Sequence, residues 1–193
     1  RSPIYDRRQL LDVGAAGPLA GFVVALGVLL WGYQLSHRVF LPFAGSSSFV
    51  LFAGKPAFLG DSFLTHQLRE WLLPGNGAVL LSPQAFAGWV GLFITGLNLL
   101  PLSQLDGGHV LYGMVGRRQK AIGLCFVAVL LLLAQRAPMW YLWVVLTFAI
   151  GGGRWTHPEV VLPDRPVLAA GRWTGFLCVV VFLLTFVPVP FLR

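Results

Sequence analysis

Residues 96–109 read Gly96-Leu97-Asn98-Leu99-Leu100-Pro101-Leu102-Ser103-Gln104-Leu105-Asp106-Gly107-Gly108-His109, a polar break in an otherwise apolar part of the chain. A carboxylate at the centre of a membrane helix costs about 2.5–3.5 kcal/mol, so Asp106 needs a cation, a metal ion, a water-filled cavity or the interface. Pro101 removes one backbone donor, and Gly107-Gly108 permits backbone approaches that other residues forbid. From these residues alone two interpretations stay open: a functional break covered by protein, or a helix end at the membrane interface.

The composition indicates a membrane protein. Of 193 residues, 56% are hydrophobic and only 11% are charged, whereas soluble domains carry about 25% charged residues. A helix needs roughly 20 apolar residues to cross a bilayer. We therefore predict an all-α, polytopic transmembrane fold with about five apolar segments, two of them short: Ala15–Leu35, Ala85–Leu100, Ala121–Gln135, Met139–Ile150 and Trp173–Val187.

The basic residues predict an orientation rather than a nucleic-acid surface. The formal charge is +7, but the basic side chains cluster between the apolar segments. If each segment crosses once, nine basic residues fall on one side of the membrane and five on the other. Because basic residues favour the cytoplasmic side, we expect Arg1–Arg8 and Arg117–Lys120 to be cytoplasmic, in a multi-pass protein of a bacterial inner membrane.

The connection 36–83 is predicted to be extramembrane or interfacial, within a single transmembrane domain 1–193. Phe49–Ala53 fits either a strand or a re-entrant segment, which periodicity cannot separate. Asp61 or Ser62 could cap an amphipathic helix lying on the membrane surface. The apolar residues that we assign to one face of that helix are Phe63, Leu64, Leu68, Trp71 and Leu72.

The polar break resembles a motif of the site-2 protease family of intramembrane zinc metalloproteases. The residues that carry this resemblance are Asn98, Pro101, Leu105, Asp106, Gly107 and Gly108. Gly17-Pro18 is similar to the family's Gly-Pro motif at the start of a core helix, although a small-residue helix contact would also explain it. The resemblance extends over most of the chain, but only the Asn98 to Gly108 region is specific by itself.

The resemblance implies a function and a set of roles. Asp106 would be a zinc ligand, Asn98 would bind the extended backbone of the substrate, and Pro101, Gly107, Gly108, Gly17 and Pro18 would support the site. The implied partners are the lipid bilayer and a membrane-protein substrate that is cleaved in its transmembrane segment. In the family, zinc lowers the pKa of a bound water and a glutamate takes its proton.

One departure from the family limits this interpretation. The family's zinc site needs His-Glu-x-x-His on a helix, and the sequence contains no His-Glu dipeptide. We therefore expect no catalytic residue in this chain: the general-base glutamate and two histidine ligands would lie upstream, which makes the chain the C-terminal part of a larger protease, inactive alone. His109 is predicted to be either a hydrogen-bonding neighbour of the site or a polar residue at the membrane interface, rather than a ligand. The alternatives are a catalytically inactive membrane scaffold and an ion-coupled transporter, since broken helices with an intramembrane carboxylate also occur in carriers.

Overall fold

A computed structural model describes residues 6–40, 45, 47–102, 105–152 and 169–192. Its seven helices are α1 (Arg7–Gln34), α2 (Phe63–Leu72), α3 (Pro83–Asn98), α4 (Asp106–Val115), α5 (Gln119–Ala134), α6 (Met139–Ile150) and α7 (Ala169–Thr185), with a 3-10 turn at Gly116–Arg118. The five strands are β1 (His37–Val39), β2 (Ser48–Phe52), β3 (Lys55–Leu59), β4 (Ala78–Leu80) and β5 (Phe191–Leu192). The chain forms two compact units, residues 1–20 with 97–182, and residues 21–96 with 183–193.

All five predicted apolar segments lie in helices, so the mainly helical prediction is confirmed. The segment that we began at Ala15 starts earlier, because Asp6 caps α1 by accepting a hydrogen bond from the Gln9 amide at 2.9 Å. Among the described residues, only α1, with 28 residues, is both long and apolar enough to cross a membrane. The described α6 and residues Gly171–Thr185 are shorter apolar helices.

The prediction of an all-α fold is wrong, because the connection 36–83 contains most of a five-stranded sheet. The strand order is β1-β4-β2-β3-β5. The apolar run at Phe49, which the sequence left open between strand and re-entrant segment, is strand β2 and pairs antiparallel with β3. The turn between them is only two residues long, and both Ala53 and Gly54 have positive φ, as hairpin turns that follow the strand twist require. Strand β5 comes from the far end of the sequence and pairs with β3.

Helix α2 begins where the sequence predicted. Ser62 caps it: the Thr65 amide donates to Ser62 Oγ at 3.2 Å, and the Ser62 amide donates to Thr65 Oγ1 at 2.9 Å. The predicted single apolar face is divided, however. Its leucines pack against the protein core, whereas Phe63 and Trp71 are 65% and 74% exposed. The surface that this helix could offer to a membrane is therefore limited to its two aromatic side chains.

A buried arginine ties α2 to the sheet. Arg69 is only 1% exposed; its guanidinium pairs with Asp61, and it donates to Ser48 Oγ at 3.3 Å and to Glu70 Oε1 at 3.1 Å. Partial burial alone would raise the pKa of Glu70, but the hydrogen bond from Arg69 and the nearby charge of Arg38 outweigh it, and this pKa is lowered. The charge of Arg69 is thereby compensated where it is removed from water.

In the unit formed by residues 21–96 and 183–193, α1 and α3 pack antiparallel at very short range. A Cβ added at Gly32 would lie 2.1 Å from the Ala85 nitrogen, and one at Gly88 would lie 2.5 Å from the Leu29 backbone. Glycine on both helices is therefore what allows their backbones to meet. The core of this unit continues from these helices onto the sheet through Trp89, whose indole donates to the Gly60 carbonyl at 3.0 Å.

Candidate functional site

The polar break is a true interruption between two helices. Helix α3 ends at Asn98 and α4 begins at Asp106. Between them the described backbone is held by short local bonds: the Leu102 amide donates to the Leu100 carbonyl at 2.7 Å, and the Leu105 amide donates to the Leu102 carbonyl at 3.1 Å. Pro101 lies within these turns, as expected of a residue that cannot continue a helical ladder.

Asp106 lies at the first position of α4, partly buried. The N-terminus of a helix favours a negative charge, so this placement suits a carboxylate. Asp106 forms no ion pair with any residue that the structure describes. The carboxylate thus stands in an apolar part of the chain without a described protein cation beside it.

The two glycines after Asp106 are buried in the first turn of α4. A Cβ added at Gly107 would lie 2.1 Å from the Leu99 carbonyl oxygen and 2.5 Å from that of Leu100. Any side chain at this position would collide with backbone that has no freedom to move away. Gly107 is therefore required because the residues after α3 fold back onto the start of α4.

Helix α1 lies directly beside the carboxylate. A Cβ added at Gly17 would be 3.8 Å from Asp106 Oδ2, and one at Gly14 would be 2.7 Å from the His109 Cβ and 3.0 Å from the Asp106 carbonyl oxygen. Pro18, which is buried, has no amide to donate to the Gly14 carbonyl in the helical ladder of α1. The structure therefore places Gly17 next to the Asp106 carboxylate, and Pro18 is the following residue of α1.

Two contributors were missed from the sequence. Gly14 precedes Gly17 by three residues, a small-residue spacing that could have identified it. Arg7 gave no such signal: its guanidinium donates to the Gly113 carbonyl from Nε at 3.1 Å and Nη2 at 2.8 Å, and to the Met114 carbonyl at 2.8 Å. Arg7 thus satisfies carbonyls at the end of α4 and fixes this helix to the start of α1.

Asn98 occupies the last position of α3 and is exposed. Its side chain makes no hydrogen bond to another residue within the described ranges. It therefore offers a carboxamide, with both donor and acceptor atoms, at the edge of the break.

The described residues by themselves do not fit a zinc ion. No group of three His, Cys, Asp or Glu side chains that could hold a metal occurs among them, whereas a catalytic zinc takes three protein ligands and a water. Of the four histidines, His109 lies on α4 one turn after Asp106, His37 and His66 belong to the sheet and to α2, and His157 is outside the described residues. Asp106 can supply one carboxylate ligand, and the part of the chain that is described does not complete the set.

Residues 3–134 match the family model of peptidase family M50. The chain belongs to this family. The resemblance to the site-2 proteases, noted on the polar break and on Gly17-Pro18, is thereby confirmed. Family M50 proteins are membrane-embedded, which agrees with the candidate membrane helix α1.

Curated relatives that the chain matches include plant proteins. The chain is 31% identical over 193 residues to the probable zinc metalloprotease EGY2, chloroplastic, of Arabidopsis thaliana, covering 97% of this chain and 33% of that protein. It is 30% identical over 196 residues to the protein of the same name from Oryza sativa subsp. japonica, with the same coverage. The probable zinc metalloprotease EGY1, chloroplastic, of that rice is 33% identical over 120 residues, 61% of this chain and 20% of that protein. The chain thus spans about one third of the length of the EGY2 relatives. No solved structure matches it significantly.

Proposed function

We propose that this chain is part of an intramembrane zinc metalloendopeptidase that cleaves membrane proteins within their transmembrane segments, and that Asp106 is one of its zinc ligands. The observation that carries the proposal is the position of Asp106: a carboxylate at the start of α4, beside Gly17 of α1 and without a described ion-pair partner, in a chain of family M50. The remaining ligands and the general base belong, in this proposal, to parts of the protein outside this chain.

The other residues of the site have supporting roles in the proposal. Gly107 allows the first turn of α4 to lie against the backbone of residues 99–100, and the buried Gly108 continues this turn; together they would set the direction of the Asp106 carboxylate. Gly17 leaves space next to that carboxylate on the side of α1, because a Cβ there would already be within 3.8 Å of it. Pro101 and Pro18 interrupt the helical ladders on either side of the site. The result is a carboxylate held by packed backbone, with no side chain on Gly17 to cover it.

The proposed membrane arrangement follows the sequence prediction: a single multi-pass transmembrane domain, with residues 36–83 as an extramembrane or interfacial connection. Support comes from α1, which is 28 residues long, about 42 Å at the helical rise. The relatives named above are chloroplastic proteins, so they do not support a location in a bacterial inner membrane. That location stays a prediction.

Replacement of Asp106 tests the proposal. In the full-length protein, we expect Asp106→Ala to lower cleavage of a transmembrane substrate in proteoliposomes by more than about 100-fold, since even neighbours of zinc ligands cost 10–100-fold. Bound zinc, measured by mass spectrometry, should fall with it. The matched control is Asp12→Ala: the Asp12 side chain is 54% exposed on α1, and among the described residues its ion-pair partner is Arg8 of the same helix. Cleavage retained in Asp106→Ala would refute the ligand role, and a wild-type protein that neither binds zinc nor cleaves would favour an inactive scaffold.

Replacement of Asn98 separates substrate binding from support of the metal site. Because Asn98 is exposed at the end of α3, its amide can pair with an extended substrate backbone. Asn98→Ala should therefore lower the rate of cleavage by roughly 10-fold, the cost of about one strong hydrogen bond, while the zinc content stays at the wild-type level. Equal losses of zinc and of cleavage would show that Asn98 supports the fold of the break instead.

A further inference from the structure

An apolar groove of about 470 Å³ opens in the unit formed by residues 21–96 and 183–193. Its wall combines the residue just after α1, strand β2, the residue just after β4 and the first turn of α3. Its apolar members include Leu35, Val50, Leu51, Phe52, Leu81 and Phe86. This volume lies within the range of about 300–1,000 Å³ typical of small-molecule sites. The groove therefore sits where α1 ends and α3 begins, large enough for a ligand that makes apolar contacts.

The β2–β3 hairpin forms the outer rim of the groove and ends in exposed apolar side chains. Leu51 and Phe52 are 55% and 56% exposed. They directly precede the two-residue turn, in which Ala53 has a φ of 50°. The Phe52 ring meets the Phe86 ring edge-on, with centroids 5.8 Å apart. This contact holds the end of the hairpin beside the first turn of α3.

The wall has two polar side chains, His37 and Ser82, and the polar atoms of Ser82 are already used within the protein. Ser82 Oγ donates to the Gly32 carbonyl at 2.8 Å and accepts from the Ala85 amide at 3.1 Å. The Ser82 amide donates to Ser36 Oγ at 2.9 Å. A ligand of this groove gains little from hydrogen bonds on that side and must be recognised mainly through apolar contact.

The groove continues the exposed apolar surface of α1. Val23 and Val24 are 68% and 67% exposed, Trp31 is 57% exposed, and Leu35, which lines the groove, is 52% exposed. In a helix that crosses a membrane these side chains face lipid, and a tryptophan close to the helix end is typical of the membrane interface. The surface that contacts acyl chains along α1 thus leads through Leu35 into the groove.

We propose that this groove is a lipid site: it takes an acyl chain of a bilayer lipid, and the end of the β2–β3 hairpin is seated in the membrane interface. The exposed Lys55, which pairs with Phe52 across the turn, places a cation where headgroup phosphates would lie. Asp106 is not among the residues that line the groove, and the proposed lipid binding does not depend on peptide hydrolysis. A lipid in this groove would anchor the sheet to the membrane beside α1 and α3, which flank β1–β4 in the chain.

Spin labels on the full-length protein test this. In a background of Cys125→Ser and Cys178→Ser, Leu51→Cys is labelled with a nitroxide and reconstituted into bilayers of phosphatidylcholine and phosphatidylglycerol. Collision with oxygen, which concentrates in lipid, is compared with collision with a water-soluble nickel chelate. The matched control is Asn76→Cys, on the exposed turn before β4, at the end of β4 away from the groove. We expect an oxygen-to-nickel ratio several-fold higher at position 51 than at position 76.

Two results would overturn the lipid site. Equal ratios at both positions would mean that the groove faces water, and protection of position 51 from both reagents would mean that a protein segment fills it. Ala53→Cys provides a second label at the same turn and keeps a Cβ of the same size where φ is positive. It should report the same ordering, and a nickel-accessible label there as well would reject the seating of the hairpin.

Discussion

At the scale of single residues, the candidate site depends on glycines that let backbones meet. Gly107 is in contact with the carbonyl groups of Leu99 and Leu100, and Gly14 is in contact with the first turn of α4. Gly17 differs, since a Cβ there would make only an ordinary contact with the Asp106 carboxylate at 3.8 Å. The requirement for glycine is thus strict at position 107 and mild at position 17.

This difference predicts opposite results for two alanine substitutions. Gly107→Ala should destabilise the protein by about 3 kcal/mol or more, because the new methyl would overlap carbonyl oxygens that cannot yield. Gly17→Ala should leave stability unchanged or slightly raised, since alanine favours the helix over glycine. The thermal stability of both variants can be measured in detergent, in a Cys125→Ser background. The readout is the midpoint temperature at which the buried Cys178 thiol becomes reactive toward a fluorescent maleimide. A wild-type midpoint for Gly107→Ala would contradict the short contact.

The sequence was informative at this scale only where a pattern was local. Asn98, Pro101, Asp106 and Gly107 lie within a few residues of each other, so their spacing could be read directly. The contact of Gly14 with α4 joins positions more than 90 apart in the chain. The spacing of Gly14 and Gly17 could indicate a small-residue helix face, but no pattern within one segment identifies α4 as its partner.

At the scale of elements, Arg7 is the link between the start of α1 and the end of α4. Its guanidinium donates three hydrogen bonds to the carbonyls of Gly113 and Met114. A cation near the C-terminus of a helix also interacts favourably with the helix dipole. The neighbouring Arg8 has a side chain that is 54% exposed, and within the described part of the chain it pairs with Asp12 at 3.7 Å.

These two arginines form a matched pair for mutation. Arg7→Ala should lower stability by about 2 kcal/mol, the range for hydrogen bonds that involve a charged group, and Arg8→Ala by less than about 0.5 kcal/mol, as for exposed ion pairs. Arg7→Lys should fall between them, because lysine keeps the charge and loses the planar fork. The thiol-protection midpoint of Cys178 measures all three, and equal midpoints for the two alanine variants would exclude Arg7 as a link.

Six of the seven described helices could be predicted, whereas α4 and the sheet could not. Long apolar segments indicate helices through their composition. Each of the five predicted apolar segments coincides with a helix, to within two residues at its C-terminal end. The sheet combines short strands from four places in the connection 36–83 with β5 at the end of the chain. Strands of two to five residues are too short to show a period of two, so their pairing depends on contacts that are remote in sequence.

At the scale of the whole molecule, the contact of Arg7 bears on the membrane topology. It brings the N-terminal end of α1 to the C-terminal end of α4, immediately before Arg117 and Arg118. The basic residues at the start of α1 and those after α4 therefore lie on the same side of the membrane if α1 spans it. This is the grouping that the distribution of basic residues predicted.

Labelling with a membrane-impermeant maleimide tests this topology. Single cysteines are introduced in the Cys125→Ser, Cys178→Ser background at three exposed positions: Arg8→Cys, Arg118→Cys and Asn76→Cys. In sealed vesicles of uniform orientation, positions 8 and 118 should react together, and position 76 should react only when the opposite face is accessible, because α1 carries the chain across between them. Opening the vesicles with detergent makes all three reactive and serves as the control for folding. If positions 8 and 76 were labelled from the same side of sealed vesicles, α1 would not cross the bilayer, and the placement of Asp106 within the membrane would lose its basis.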